Sequence, residues 1–287
     1  MPKKLPTHPL LAGKAGIRMS LAGAQDKLAV YISGDKISLP LGNAPSTHIL
    51  KPEISGVEGM VENEAFCMTL ARELGMHVAT VQIRTEGDKK FLLVERYDRT
   101  KPSDSTRYPQ RLHQKDFCQA SGIAPEKKYQ AEGGVSLKQC FNLLRAVSEV
   151  PLVDLQRMLD AVIFNFLISN HDAHGKNFSL LYATSDVGQT AKFAPLYDLI
   201  CTAAYPDLSK NMAMSIGGKY KSESIKSEHF ERMAEETGLA RPIVLQRIRA
   251  MATAVLDQLN KTDLLPVPAP QVIDVIRSNA QKMISRL

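Results

Sequence analysis

The densest run of chemistry-bearing side chains is Asn170-His171-Asp172-Ala173-His174-Gly175-Lys176-Asn177. It stands between an apolar stretch, 152–169, and an alternating stretch, 178–182, so a polar loop carried by two rigid elements is expected. Asp172 and Asn177 are five positions apart. At that spacing a carboxylate can orient an attacking hydroxyl while an amide oxygen holds Mg²⁺ beside a phosphoryl group in transfer. A D-x-x-x-x-N pair arises often by chance, so it needs company.

Company comes one hairpin later. Strands over 178–182 and 192–196, joined by a Ser185-Asp186-Val187-Gly188 turn, lead into Tyr197-Asp198, a second acid just past a strand end. A metal-binding Asp that bridges nucleotide phosphates arrives in this way in protein kinases. An Asp there equally suits the N-cap of a following helix. Lys51 closes a further strand, and Glu64 extends the helical stripe of Cys67, Leu70, Ala71 and Leu74. A strand lysine paired to a helix carboxylate aims its ammonium at phosphates, although Lys51 also reads as a solvated lysine and Glu62 competes with Glu64. Upstream, Ser20-Leu21-Ala22-Gly23-Ala24-Gln25-Asp26-Lys27 joins small residues to the first hairpin. Small side chains let peptide N–H groups approach phosphates closely, but a single central glycine is not the G-x-G-x-x-G signature.

The elements that must hold these residues follow from periodicity. Leu28, Val30 and Ile32 alternate, Gly34-Asp35 turns the chain, and Ile37 and Leu39 resume, which predicts a hairpin. A third strand is expected over 47–51, a helix over 61–74 stopped by Gly75, and two strands over 78–84 and 90–96 around Glu86-Gly87-Asp88. After a polar connector, 100–107, helices dominate. The stretch 152–169 is apolar on more than one face and predicts a buried helix. Pro242 suits the first helical position of a segment ending near Leu259, and a last helix is expected over 272–287. The pattern predicts an α+β fold of two lobes, a small β-rich one over 1–98 and a larger helical one over 99–287.

With 287 residues, 44% hydrophobic and 23% charged, the chain has globular composition, which excludes a disordered tail, a collagen-like fibre or a disulfide miniprotein. Apolar runs of about four residues fall far short of a membrane span, and no secretory signal is readable at the basic start, Lys3-Lys4, so a cytoplasmic protein is expected. Cys67, Cys118, Cys140 and Cys201 are scattered without a CxxC pair, the usage of reduced buried thiols rather than of a zinc site. A net charge of +6 is a mild surplus that favours anionic partners without defining a DNA-groove reader.

Taken in order, SLAGAQDKLAV (20–30), THILK (47–51), VERYDR (94–99), DFCQ (116–119), NHDAHGKNFS (170–179), APLYDL (194–199) and MSIGGK (214–219) resemble the HipA-like serine/threonine kinase toxins. The resemblance implies a two-lobed kinase-like fold that transfers the γ-phosphoryl of ATP, with Mg²⁺, to a protein hydroxyl. It implies Asp172 as catalytic base, Asn177 and Asp198 as Mg²⁺ ligands, and Lys51 as the phosphate-binding lysine with Glu64 as its ion-pair partner. Ala22, Gly23, Ala24, Gln25, Asp26 and Lys27 would form the phosphate loop. Glu95, Arg96 and Tyr97 would form the hinge, and His174, Lys176 and Tyr197 would line the nucleotide site.

Family substrates are aminoacyl-tRNA synthetases, and Ser20 matches the loop serine whose autophosphorylation switches the kinase off. A phosphate there adds about −1.5 to −2 charge beside those of ATP. HipA-type chains carry a further subdomain ahead of this loop, so the chain resembles the short HipT form. In that form the subdomain is a separate small HipS-like protein beside a helix-turn-helix, HipB-like antitoxin, through which DNA is reached indirectly. A trimmed longer protein is the alternative. Three other readings remain: a kinase-fold small-molecule phosphotransferase, a pseudokinase that only binds an antitoxin, and a metal phosphohydrolase built on His171-Asp172 with His113 and Asp116.

Overall fold

The computed structural model describes residues 27–41, 44–54, 57–100, 108–182, 190–261 and 266–287. Ser20 and the expected phosphate-loop residues Ala22, Gly23, Ala24, Gln25 and Asp26 lie outside the described residues, as does the 185–188 turn.

Alternating apolar residues build an antiparallel sheet first. Strands β1 (Leu28–Ser33) and β2 (Lys36–Ser38) form the expected hairpin, and β3 (His48–Pro52) pairs with β1. Helix α1 (Met60–Glu73) precedes β4 (Val81–Glu86) and β5 (Lys89–Glu95), which complete a five-stranded order β2-β1-β3-β5-β4. The two faces of β5 show why the sheet is a layer. Phe91 and Leu93 join Val30 in a small cluster on one side, while Leu92 and Val94 face α1 and the main core.

Helix α1 departs from a one-sided stripe. Ten of its residues are buried, including the polar Asn63, Glu64 and Thr69, because the sheet and the helical part of the molecule cover it from different sides.

Beyond residue 108 come β6 (His113–Asp116), the short α2 (Phe117–Ala120), α3 (Leu137–Val147) and α4 (Pro151–Leu167). Asp116 with Gln119 and Ser136 with Gln139 form capping boxes that start α2 and α3. The strands β7 (Ser179–Tyr182) and β8 (Ala191–Phe193) join β6 in the order β6-β7-β8, and β9 (Asn211–Ile216) pairs with β10 (Lys219–Lys221). Helices α5 (Ser227–Thr237), α6 (Arg241–Leu259) and α7 (Pro270–Ser285) follow. Pro242 takes the second helical position of α6, after Arg241, and α7 starts at Pro270 rather than at Val272 because that proline suits a first turn.

One hydrophobic core runs without interruption from Val61 on α1 to Met283 on α7. All four cysteines are free thiols buried in it. Among the described residues no helix is long and apolar enough to cross a membrane.

Candidate active site

The central loop leaves α4 through a left-handed residue, Ser169 (φ 51°), a costly conformation for a side chain with Cβ. It is held from both ends: Thr202 Oγ1 donates to the Ser169 carbonyl at 2.8 Å, and Asn279 Nδ2 on α7 donates to Ser169 Oγ at 2.8 Å. Asn170 then donates from its amide to Asn165 Oδ1 (2.8 Å) and to the Asp198 carbonyl (3.0 Å), tying the loop to the segment after β8. Asp198 is itself left-handed, at φ 54°, and does not cap a helix.

His171 is an anchor rather than a reagent. Its ring nitrogens sit 2.9 Å from the Ser209 carbonyl and 3.0 Å from Ser222 Oγ, and burial pushes its pKa down. With both nitrogens engaged inside the protein, the phosphohydrolase reading loses its first ligand.

The Asp172 side chain is 47% exposed. Its carbonyl accepts from His174 N (2.8 Å) and from Asn177 Nδ2 (3.0 Å), so the two ends of the D-x-x-x-x-N pair are joined and the Asn177 amide oxygen is turned by that bond. Carboxylate Oδ1 accepts from the Tyr129 hydroxyl at 2.6 Å, with Lys128 Nζ 3.9 Å away, while Oδ2 stands 3.8 Å from His174 Nε2. The turn between His174 and Asn177 needs Gly175: a Cβ there would collide with the Val135 side chain and come within 2.9 Å of Cys118 Sγ.

Opposite lies a node of charge. Lys51 is buried on β3, donates to Glu64 Oε1 of α1 at 2.6 Å and is ion-paired to Asp198 Oδ1. Burial alone would depress the Lys51 ammonium, but Asp198 and Glu64 outweigh it and hold its pKa above the ordinary lysine value. Burial likewise works against the Asp198 carboxylate, yet Lys51 and Lys27 bring its pKa down to about 2. Glu64 is pushed up by burial, since the one Lys51 charge is shared between two acids. Lys27, one residue before β1, has its pKa lowered by burial although Asp198 attracts it. The competitor Glu62 pairs instead with the exposed Lys90 of β5, away from Lys51.

His174 connects the two halves. Burial lowers its pKa, and it feels the charges of both Asp172 and Asp198. Its Nδ1 is buried and has no hydrogen-bond partner among the described residues.

Around this centre Tyr97 stacks on Tyr197 with centroids 5.7 Å apart. The Tyr197 hydroxyl donates to the Lys176 carbonyl at 2.7 Å and contacts Ser179 Oγ at 2.8 Å. Tyr97, Lys176 and Tyr197 are thus assembled together. Arg96 instead turns its guanidinium onto Asp98 (2.9 and 2.7 Å), and the Glu95 side chain is exposed.

The donor set fits Mg²⁺ and a polyphosphate. One carboxylate and one amide oxygen are hard ligands that a small cation completes with phosphate oxygens and water, and the unpaired His174 nitrogen is a polar atom that a phosphate oxygen or hydroxyl would satisfy. Among the described residues no three His, Cys, Asp or Glu side chains gather as a metal cluster.

Two further sets of residues hold the site without a periodic signal in the sequence. Lys128 and Tyr129 reach Asp172 from a polar segment whose signal is an aromatic hydroxyl shortly before Gly133-Gly134. Asn63, fully buried on α1, brackets the Cys201 peptide: its Nδ2 donates to the carbonyl (3.0 Å) and its Oδ1 accepts from the N–H (3.0 Å).

Y4mE of Sinorhizobium fredii is 46% identical over 272 residues, covering 93% of this chain and 63% of its own length. The serine/threonine-protein kinase toxin HipA of Shewanella oneidensis is 33% identical over 262 residues, 88% of this chain and 59% of that one. This chain therefore spans about six tenths of the curated relatives it matches. Among solved structures, the Shewanella oneidensis HipA, HipB and operator DNA complex superposes with a TM-score of 0.78 at 30% identity, covering 97% of this chain and 66% of that one. The Helicobacter pylori proinflammatory kinase CtkA shares the fold, with a TM-score of 0.53 at 14% identity over 91% and 94% of the two chains. The α+β architecture is accordingly kinase-like. Residues 19–259 match the HipA-like C-terminal domain, and with most of its length inside that match the chain belongs to the HipA-like kinase family.

Proposed function

We propose that this chain is an ATP-dependent protein serine/threonine kinase and the toxin of a type II toxin–antitoxin system, with residues 1–98 and 99–287 as its lobes. The observation that carries the reading is the Lys51 ammonium held between Glu64 and Asp198, with Asn177 donating directly to the Asp172 carbonyl on the facing loop. In this reading Lys51 and Lys27 bind the phosphates of ATP, and Tyr97 and Tyr197 flank the nucleotide. Asp172 takes the proton of the acceptor hydroxyl as its oxygen bonds to the γ-phosphorus and the bond to the β-phosphate oxygen breaks, releasing ADP. Mg²⁺ bound by Asp198 and Asn177 would neutralise charge on the phosphate oxygens.

The finer assignments rest on the family. Shewanella oneidensis HipA is found with HipB and operator DNA, which supports a helix-turn-helix antitoxin as partner here, with DNA reached through it. An aminoacyl-tRNA synthetase as substrate, a separate HipS-like subdomain protein and Ser20 as the autophosphorylated off-switch complete the proposal.

The test is incubation with γ-labelled ATP and Mg²⁺, followed by phosphopeptide mapping. Label on Ser20 that is lost in Asp172→Gln, with nucleotide binding intact, is the expected result. Release of free phosphate without labelling of any protein hydroxyl, or antitoxin binding without any turnover, would overturn it.

A further inference from the structure

Tyr129 belongs to none of the roles assigned above, yet its hydroxyl makes the 2.6 Å hydrogen bond to the proposed catalytic carboxylate. The segment that carries it is built to stay put. Gln130 clasps Ser215 on β9 twice, donating from Nε2 to Oγ at 3.1 Å and accepting from the backbone N–H at 2.9 Å. The chain then folds back so that Gly134 N donates to the Tyr129 carbonyl at 2.9 Å. The fold-back is tight enough that a Cβ on Gly134 would lie 2.7 Å from the Lys128 carbonyl oxygen. The ring is fixed as well: it meets His174 edge-on at 5.7 Å, and Lys128 Nζ lies over it at 4.7 Å.

Resting on the kinase reading, we propose that Tyr129 is a positioning residue for phosphoryl transfer: it occupies Oδ1 of Asp172 so that Oδ2 is the oxygen offered to the acceptor hydroxyl. An unconstrained carboxylate turns about its terminal torsion, and either oxygen could then meet an incoming proton. With Oδ1 held, Oδ2 stands 3.8 Å from His174 Nε2, beyond hydrogen-bond distance, and is left to take the proton. The acceptor oxygen bonds to the γ-phosphorus as ADP departs, and the Tyr129 O–H bond is neither made nor broken. Burial and Asp172 both push the phenol pKa up, so Tyr129 remains a donor and does not compete as a nucleophile.

Tyr129→Phe keeps the ring against His174 and Lys128 and removes the hydroxyl alone. The expected result is a fall in kcat of about 10- to 100-fold, with the KM for ATP and the nucleotide Kd within about twofold and the Tm unchanged. If Tyr129→Phe loses its fold, Gln130→Ala, which releases the segment from β9, carries the same test and should lower kcat with nucleotide affinity kept. A purely structural tyrosine gives the opposite pattern, with full turnover in Tyr129→Phe and loss only in Tyr129→Leu, and that result would overturn the proposal. Parallel loss of kcat and nucleotide binding would overturn it too. A wild-type chain that transfers nothing removes the kinase reading and this proposal with it; wild-type transfer matched by Tyr129→Phe removes this proposal alone.

Discussion

Lys51 is one buried cation shared by the buried Glu64 and the part-exposed Asp198, and removing it leaves both acids uncompensated, Glu64 at the greater cost. Lys51→Met should therefore abolish phosphoryl transfer and also destabilise the fold by about 3 kcal/mol, the scale for breaking a buried pair from one side; urea denaturation of the variant checks the second part. The same node predicts where pH does not matter. Asp198 titrates below the ordinary aspartate value, near 2, so its contribution is present above about pH 4 and fades as pH falls toward that value. Lys51 is raised, so its contribution is complete below the ordinary lysine range and is lost only as pH climbs above it. Asp198→Asn keeps the shape but halves the attraction on Lys51 and should weaken Mg²⁺-dependent ATP binding by tenfold or so, measurable by calorimetry. Lys51, Asp172, Asn177 and Asp198 could be singled out in the chain because each sits at or between the ends of periodic elements, and Glu64 because it extends the α1 stripe. Tyr129 could not, since its partner is 43 residues away and its own segment has no period to mark which way a side chain faces.

At the scale of elements, α1 is fastened to the Asp198 side of the site by Asn63, next to Glu64 in sequence. Asn63→Leu removes both bonds and strands a buried peptide, so a loss of about 2–4 kcal/mol is expected from two unsatisfied groups, with transfer reduced because Glu64 loses its register. Urea titration alongside the labelling assay would detect both. Most elements were legible: the hairpin, α1, β4, β5, α4 and α7 appear within a few residues of their expected bounds, since alternation and the 3.6-residue period report burial directly. Strand β6 was not legible. Its residues, His113-Gln114-Lys115-Asp116, are all polar, and what makes them a strand is pairing with β7, a long-range contact that overrides local preference. The many-sided burial of α1 was hidden for a similar reason, because a single helix does not disclose how many neighbours it has.

For the molecule as a whole, the continuous core implies that sheet and helices stabilise one another. Acid should weaken that union before it touches the charged node. His48, His77, His171 and His174 all have pKa values lowered by burial, whereas in the unfolded chain they bind protons near 6.5. The unfolded state then holds more protons than the native one, so stability falls as pH drops through that value. A lower Tm at pH 5.5 than at pH 7.5 is the expected outcome in a thermal scan. The architecture also has a consequence for how the protein is made. The turn at Ser169 is steadied by Asn279, 110 residues downstream, from an α7 that sinks Val272, Ile276, Ala280 and Met283 into the same core. A nascent chain on the ribosome emerges with the 170–177 loop long before it has that support, so the loop of a half-made copy lacks the hydrogen bond and the packed helix that hold its first turn.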